Sequence, residues 1–224
     1  MKIVNAQGNF IAFGNFSSLI NNIDKVKEAL VGYEVRQQNE QLPNGLQAPF
    51  YIFIKANEAV VIRSSRIDTQ YGYKSEEDTV SSLIDSVNNT FEKIGSLIET
   101  KFDRVSYNNV AFVPYSEETF AKFASVFGTD DIFGAKTKEL SVRLNNILNV
   151  GQEEVNAVLT MQDGSVRRNV GEQVQEKVIF VNNDVNTLFE HKAPRFTCEE
   201  GLKLFADLVM IGNERTAKIL EKLQ

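Results

Sequence analysis

The sequence predicts an α+β fold made of two related β-α-β-β-β-α halves, 1–101 and 102–224, packed as one compact pseudo-dimer with antiparallel strands under amphipathic helices. Three observations predict it. Short runs rich in β-branched and aromatic residues are separated by short turns, which favours antiparallel pairing. Long stretches with apolar residues at helical spacing end each half. Related strings, Arg66-Ile67-Asp68-Thr69 and Asp184-Val185-Asn186-Thr187, precede those two helices.

In the first half, Asn9–Phe16 reads as a strand and Ser17 or Ser18 caps a helix carrying Leu19, Ile20, Ile23, Val26 and Leu30, which Gly32 ends. Tyr33–Asn39, Phe50–Ile54 and Ala59–Asp68 are the three strands that follow, with a loop at Leu42-Pro43-Asn44-Gly45. Ser75-Glu76-Glu77-Asp78 fits a capping box. It opens a helix whose stripe is Val80, Leu83, Ile84, Val87, Phe91, Ile94, Leu97 and Ile98.

The second half opens with a strand, Phe102–Val113, and a short helix with Phe120, Phe123 and Phe127 on one side. Alternation marks strands through Leu140–Asn146 and Val155–Met161. Asp163-Gly164 is a hairpin signal, 165–175 reads as polar loop or edge, and Lys177–Val185 is a further strand. Thr197-Cys198-Glu199-Glu200 is a second capping box, leading into a last helix with Leu202, Phe205, Leu208, Val209, Ile219, Leu220 and Leu223.

Composition narrows the function. Hydrophobic residues are 42% of the 224, charged residues 24%, and the net charge is −6, which excludes a disordered or fibrous chain. Twenty-four Lys and Arg against 30 Asp and Glu, with no basic run longer than Arg167-Arg168, argue against nucleic-acid binding. No apolar stretch is long enough to span a membrane and the first residues lack a signal-peptide core, so the expected location is the cytoplasm.

Catalytic chemistry has few footholds. His191 is the only histidine and Cys198 the only cysteine. A Cys198–His191 pair is conceivable because a first-turn thiol feels the helix N-terminus, but a solvated loop histidine and a packing cysteine explain both residues more simply. Two such ligands cannot build a structural zinc site, and no phosphate-binding glycine loop occurs. The acidic pairs fall mostly in first helical turns, where the dipole favours them.

The leading expectation is therefore a non-enzymatic protein-interaction or assembly protein with no cofactor. Phe10, Phe13 and Phe16 on the N-terminal strand are the candidate interface. The first alternative is a small-ligand site in the cleft between the halves, anchored by Arg66, Asp68, Asp184, Asn186 and Arg195. The second is a magnesium-dependent enzyme with Asp68 and Asp184 sharing the ion.

After the long helix stands Arg104-Val105-Ser106-Tyr107-Asn108-Asn109. In that place and in element order the chain resembles a sporadically distributed family of uncharacterised bacterial and phage proteins, marked there by an Arg-aliphatic-x-x-Arg-Tyr-aliphatic-Asn string. The second arginine of the pattern is missing here. The resemblance implies a two-part α+β fold and a phage or mobile-element setting, and no activity.

Overall fold

The computed structural model describes residues 4–74, 79–127, 139–170, 172–190 and 193–223, without the side chains of 167–170, 172–174 and 223. Strand β1 (Val4–Phe13) leads into two short helices, α1 (Ser17–Asn21) and α2 (Ile23–Ala29). The single predicted helix breaks at Asn22, whose side-chain amide donates to the Ser18 carbonyl, the local bonding by which asparagine leaves a helix. Strands β2 (Glu34–Gln41), β3 (Gln47–Lys55), β4 (Glu58–Ile62) and β5 (Arg66–Gly72) follow, then helix α3 (Val80–Ile94) with a 3₁₀ turn at Gly95–Leu97. The rest of the chain is β6 (Arg104–Pro114), α4 (Glu117–Val126), β7 (Ser141–Val150), β8 (Glu153–Val170), β9 (Glu172–Thr187) and α5 (Cys198–Leu223).

All nine strands form one antiparallel sheet in the order β2-β3-β4-β5-β1-β6-β9-β8-β7. This corrects the expected pair of β-α-β-β-β-α halves. The segment before Thr100 supplies five strands and the segment after it four, and β1 pairs directly with β6 over nine residue pairs. No cleft separates two halves, because the strands on either side of the presumed boundary are hydrogen-bonded neighbours. The miscount has a local cause. Ala59–Asp68, expected as one strand, is cut by the turn at Arg63-Ser64-Ser65, where the Arg63 N–H bonds the Arg66 carbonyl and the chain reverses into β5.

A second correction concerns Asp163-Gly164, which is not a hairpin. Strand β8 runs straight through it and pairs with β9 from Val155↔Thr187 to Val170↔Glu172, so the expected loop at 165–175 is mostly strand. Gly164 serves packing instead: a Cβ there would lie 2.7 Å from the Phe180 ring. The predicted capping box at 75–78 lies outside the described residues; at the start of α3 the Ser82 hydroxyl accepts the Thr79 N–H at 3.2 Å. The box at Thr197 and Glu200 is formed in both directions, at 2.8 and 3.2 Å.

Antiparallel partners point to the same side, so register sorts the sheet into two faces. One face carries Phe10, Ala12, Phe53, Val60, Ile62, Ile67, Val105, Tyr107, Ala157 and Val185, all buried. They pack with Leu19, Val26, Leu83, Val87, Phe91, Phe205 and Leu208 from the helices. Phe10 stands edge-on to Phe91 and Phe205, with ring centroids 5.1 and 4.8 Å away. A second cluster, Val113, Phe120, Phe123, Leu159, Met161, Ile179 and Val181, lies under α4. Among the described residues every helix packs on this side, which leaves the other face of the sheet open.

Candidate interaction face

The open face is set by the alternate residues of each strand. Cross-strand pairing lines up Arg36, Ile52, Val61, Asp68, Ile11, Ser106, Asn186, Asn156 and Ile147 in one row across the whole sheet. A neighbouring row runs Ala59, Gln70, Asn9, Asn108, Asp184, Val158 and Asn145. Each strand alternates because the opposite positions belong to the core.

Two polar groups organise the middle of this face. Asp68 is nearly buried, 5% exposed, and takes Arg63 Nη1 at 2.8 Å and Arg66 Nε at 3.0 Å. Arg63 also reaches Glu40 at 3.1 Å and lies over the Phe50 ring, 4.6 Å from its centroid. This one side chain thereby ties edge strand β2 and strand β3 to the β4–β5 turn. Burial pushes the Asp68 carboxyl above its ordinary range, outweighing the opposite pull of Arg66 and Arg63. The second group centres on Asp184, which accepts from the Ser106 hydroxyl at 3.2 Å and the Asn186 amide at 3.0 Å. Between the two groups, Phe13 pairs in register with Arg66 on one side and Arg104 on the other. The Arg104 guanidinium stacks 3.9 Å from the Phe13 ring centroid, and its burial there lowers its pKa.

Four of the five polar residues singled out from sequence, Arg66, Asp68, Asp184 and Asn186, thus share this face. Arg195 does not. It lies in the segment between β9 and α5, with Nη1 2.7 Å from Glu153 and Nε donating to the Asp103 carbonyl. Asp68 and Asp184 sit on β5 and β9 with β1 and β6 between them, three strand spacings and two residues of register apart, about 16 Å. One ion cannot bridge them, and Asp68 is already held by two guanidinium groups. Among the described residues no three Asp, Glu, His or Cys side chains converge as metal ligands.

The aromatic candidates divide. Phe10 and Phe16 are 0% and 1% exposed and belong to the core, so of the three only Phe13 reaches the open face. The Cys198 thiol is pushed up by burial, the reverse of the lowering expected from its first-turn position, and His191 lies outside the described residues. Sequence reasoning missed Arg63, Arg104, Phe50 and Phe112. The signal for the first was the cluster Arg63-Ser64-Ser65-Arg66-Ile67-Asp68, three charges bracketing a turn.

The open face differs in composition from the rest of the chain. Among the described side chains it carries five of the chain's nine arginines (36, 63, 66, 104 and 143) and four of its 16 phenylalanines (13, 50, 112 and 180). No lysine of the nine strands falls on it among the described side chains. Its acids among the described side chains, Glu34, Glu40, Asp68, Glu154, Glu176 and Asp184, outnumber the five arginines by one, so most of the chain's charge of −6 resides elsewhere. No family model and no curated protein matches the chain. No helix among the described residues is long and apolar enough to cross a membrane.

Proposed function

We propose that this chain is a non-enzymatic interaction protein that docks a partner protein on the open face of its sheet. The observation that carries this reading is the face's composition: arginine concentrated, no lysine among the described side chains, and a charge near zero on an otherwise acidic chain. Arginine enrichment with lysine depletion is a mark of protein interfaces. Arg104 on Phe13 and Arg63 on Phe50 are planar stacks already fixed in place, so little side-chain entropy remains to be lost on contact. Asparagine and glutamine side chains at 7, 9, 70, 108, 156 and 182 interleave these anchors and match the donors and acceptors of a polypeptide surface. Size agrees as well. Eight strand spacings and about 20 Å of strand length give roughly 800 Å², one partner's share of a standard interface.

The test is a pair of charge insertions, Ile52→Glu and Phe112→Glu, in chain recovered from its own cells with whatever protein accompanies it. Both variants keep the fold and lose the accompanying protein, whereas Glu28→Lys on α2 keeps it. Loss with Glu28→Lys and retention with both sheet variants would place the interface on the helices and refute the reading. Binding of an oligonucleotide to the sheet face in preference to protein would refute it too.

A further inference from the structure

The two edges of the sheet are built differently. Strand β2 carries Glu34, Arg36 and Glu40 in eight residues, the charged edge that discourages strand addition. Strand β7, Ser-Val-Arg-Leu-Asn-Asn-Ile-Leu-Asn-Val, has ten residues, one charge and no proline, and pairs with β8 without a bulge. Ile147 at its middle is 56% exposed. Beside this edge, between β7 and the end of α5, lies a groove of about 330 Å³. Its floor is Leu144, Leu159 and Ile219, and its rim is Arg215, Lys218 and Lys222. Glu221 is the one acid among the lining residues. Arg215 Nη1 donates to Asn146 on β7 at 2.9 Å, while its buried Nε has no partner, and burial lowers the pKa of this guanidinium.

We propose that this edge and groove take an extended acidic segment of a partner protein, which adds as a tenth strand beside β7. The unpaired backbone groups of β7 supply the main-chain bonds. Side chains of an added strand alternate between faces, so its carboxylates point to the helix side, where Arg215, Lys218 and Lys222 rim the groove, and the aliphatic residues between them lie beside Ile147 on the other side. Charge selects this occupant over a second copy of the chain. Pairing β7 with itself would bring Arg215, Lys218 and Lys222 towards their own counterparts, whereas an acidic strand neutralises them. Strand β7 borders the open face, but the groove and its basic rim lie on the helix side of the sheet, and the inference does not depend on the open face being a docking site.

The probe is a short fluorescein-labelled peptide of alternating glutamate and valine, followed by fluorescence anisotropy on the intact chain. It binds, its lysine–valine counterpart binds about tenfold or more weakly, and Lys218→Glu with Lys222→Glu reverses the preference. Methylating alternate peptide amides along one side abolishes binding, and along the other side leaves it, as strand addition requires. Ile52→Glu leaves binding unchanged, which separates this site from the open face. Equal affinity for the two peptides would overturn the proposal. Tighter binding of oligothymidylate than of the acidic peptide would overturn it as well. A chain that elutes as a 50.4 kDa species, twice its 25.2 kDa, and becomes a monomer on Ile147→Lys would give the edge to a second copy instead.

Discussion

Phe10 and Phe13 lie three residues apart on β1 and face opposite ways, so truncating each separates core from open face within one strand. Phe10 is fully buried and contacts the Phe91 and Phe205 rings edge-on at 5.1 and 4.8 Å. Removing a buried phenylalanine ring costs about 3–5 kcal/mol. The site collapses little onto the void, because its walls are the sheet backbone and the helices, so the cost does not fall at the bottom of that range. Phe13 is half-buried and supports mainly the Arg104 guanidinium. Losing that stack and part of the ring's burial costs about 1–1.5 kcal/mol. Urea unfolding followed by circular dichroism measures both. Phe10→Ala lowers the midpoint with the slope unchanged, by about 4 kcal/mol. That corresponds to roughly 8–16 °C in melting temperature for a chain of this size. Phe13→Ala lowers it by less than half as much. Equal losses for the two variants would refute the assignment of β1's faces.

Other substitutions probe the remaining joints. Thr197→Ala removes the hydroxyl that accepts the Glu200 N–H at the start of α5 and costs about 1 kcal/mol in the same unfolding assay. Asp68→Asn costs about 1–2 kcal/mol, less than the loss from breaking a fully buried pair, because the burial that raises the carboxyl's pKa already offsets much of the attraction of Arg63 and Arg66. The Tyr33 phenol, half-buried and donating to Glu58 at 2.7 Å, has its pKa pushed up to about 12 by burial and by that carboxylate. Its folded value lies above the unfolded one, so its stabilisation is full below pH 10 and is lost as the pH climbs towards 12. Ultraviolet difference titration shows one phenolate transition near pH 12 that Tyr33→Phe abolishes.

Local features were legible in the sequence. The stripe of Leu83, Val87, Phe91 and Ile94 and the box of Thr197 and Glu200 are short-range patterns, and both are built as their spacing predicts. The failures came where distant pairing decides. The turn at Arg63-Ser64-Ser65 has no glycine or proline to mark it and interrupts an apolar run, so two strands read as one and the halves looked alike. Gly164 looked like a turn residue because its reason, the Phe180 ring across the ladder, lies sixteen residues away. Alternation in β1 was clear, but Phe10 and Phe13, or Ile11 and Ala12, do not say which side meets the helices; only pairing with β5 and β6 decides that. For the same reason Arg66, Asp68, Asp184 and Asn186 were recognised as related while their common face was not. Arg195, expected beside them in a cleft between halves, lies on the helix side, where Glu153 holds it.

Photo-crosslinking from chosen positions tests the account's central claim most directly, because it records contact and not merely loss of it. Benzoylphenylalanine is placed at Ile52 and Phe112 on the open face, and at Glu28 and Lys203 on the helices, in the chain expressed in its own cells. Adducts to a common protein from both sheet positions, absent from both helix positions, are the predicted result. Adducts to that protein from the helix positions alone would contradict a docking role for the open sheet.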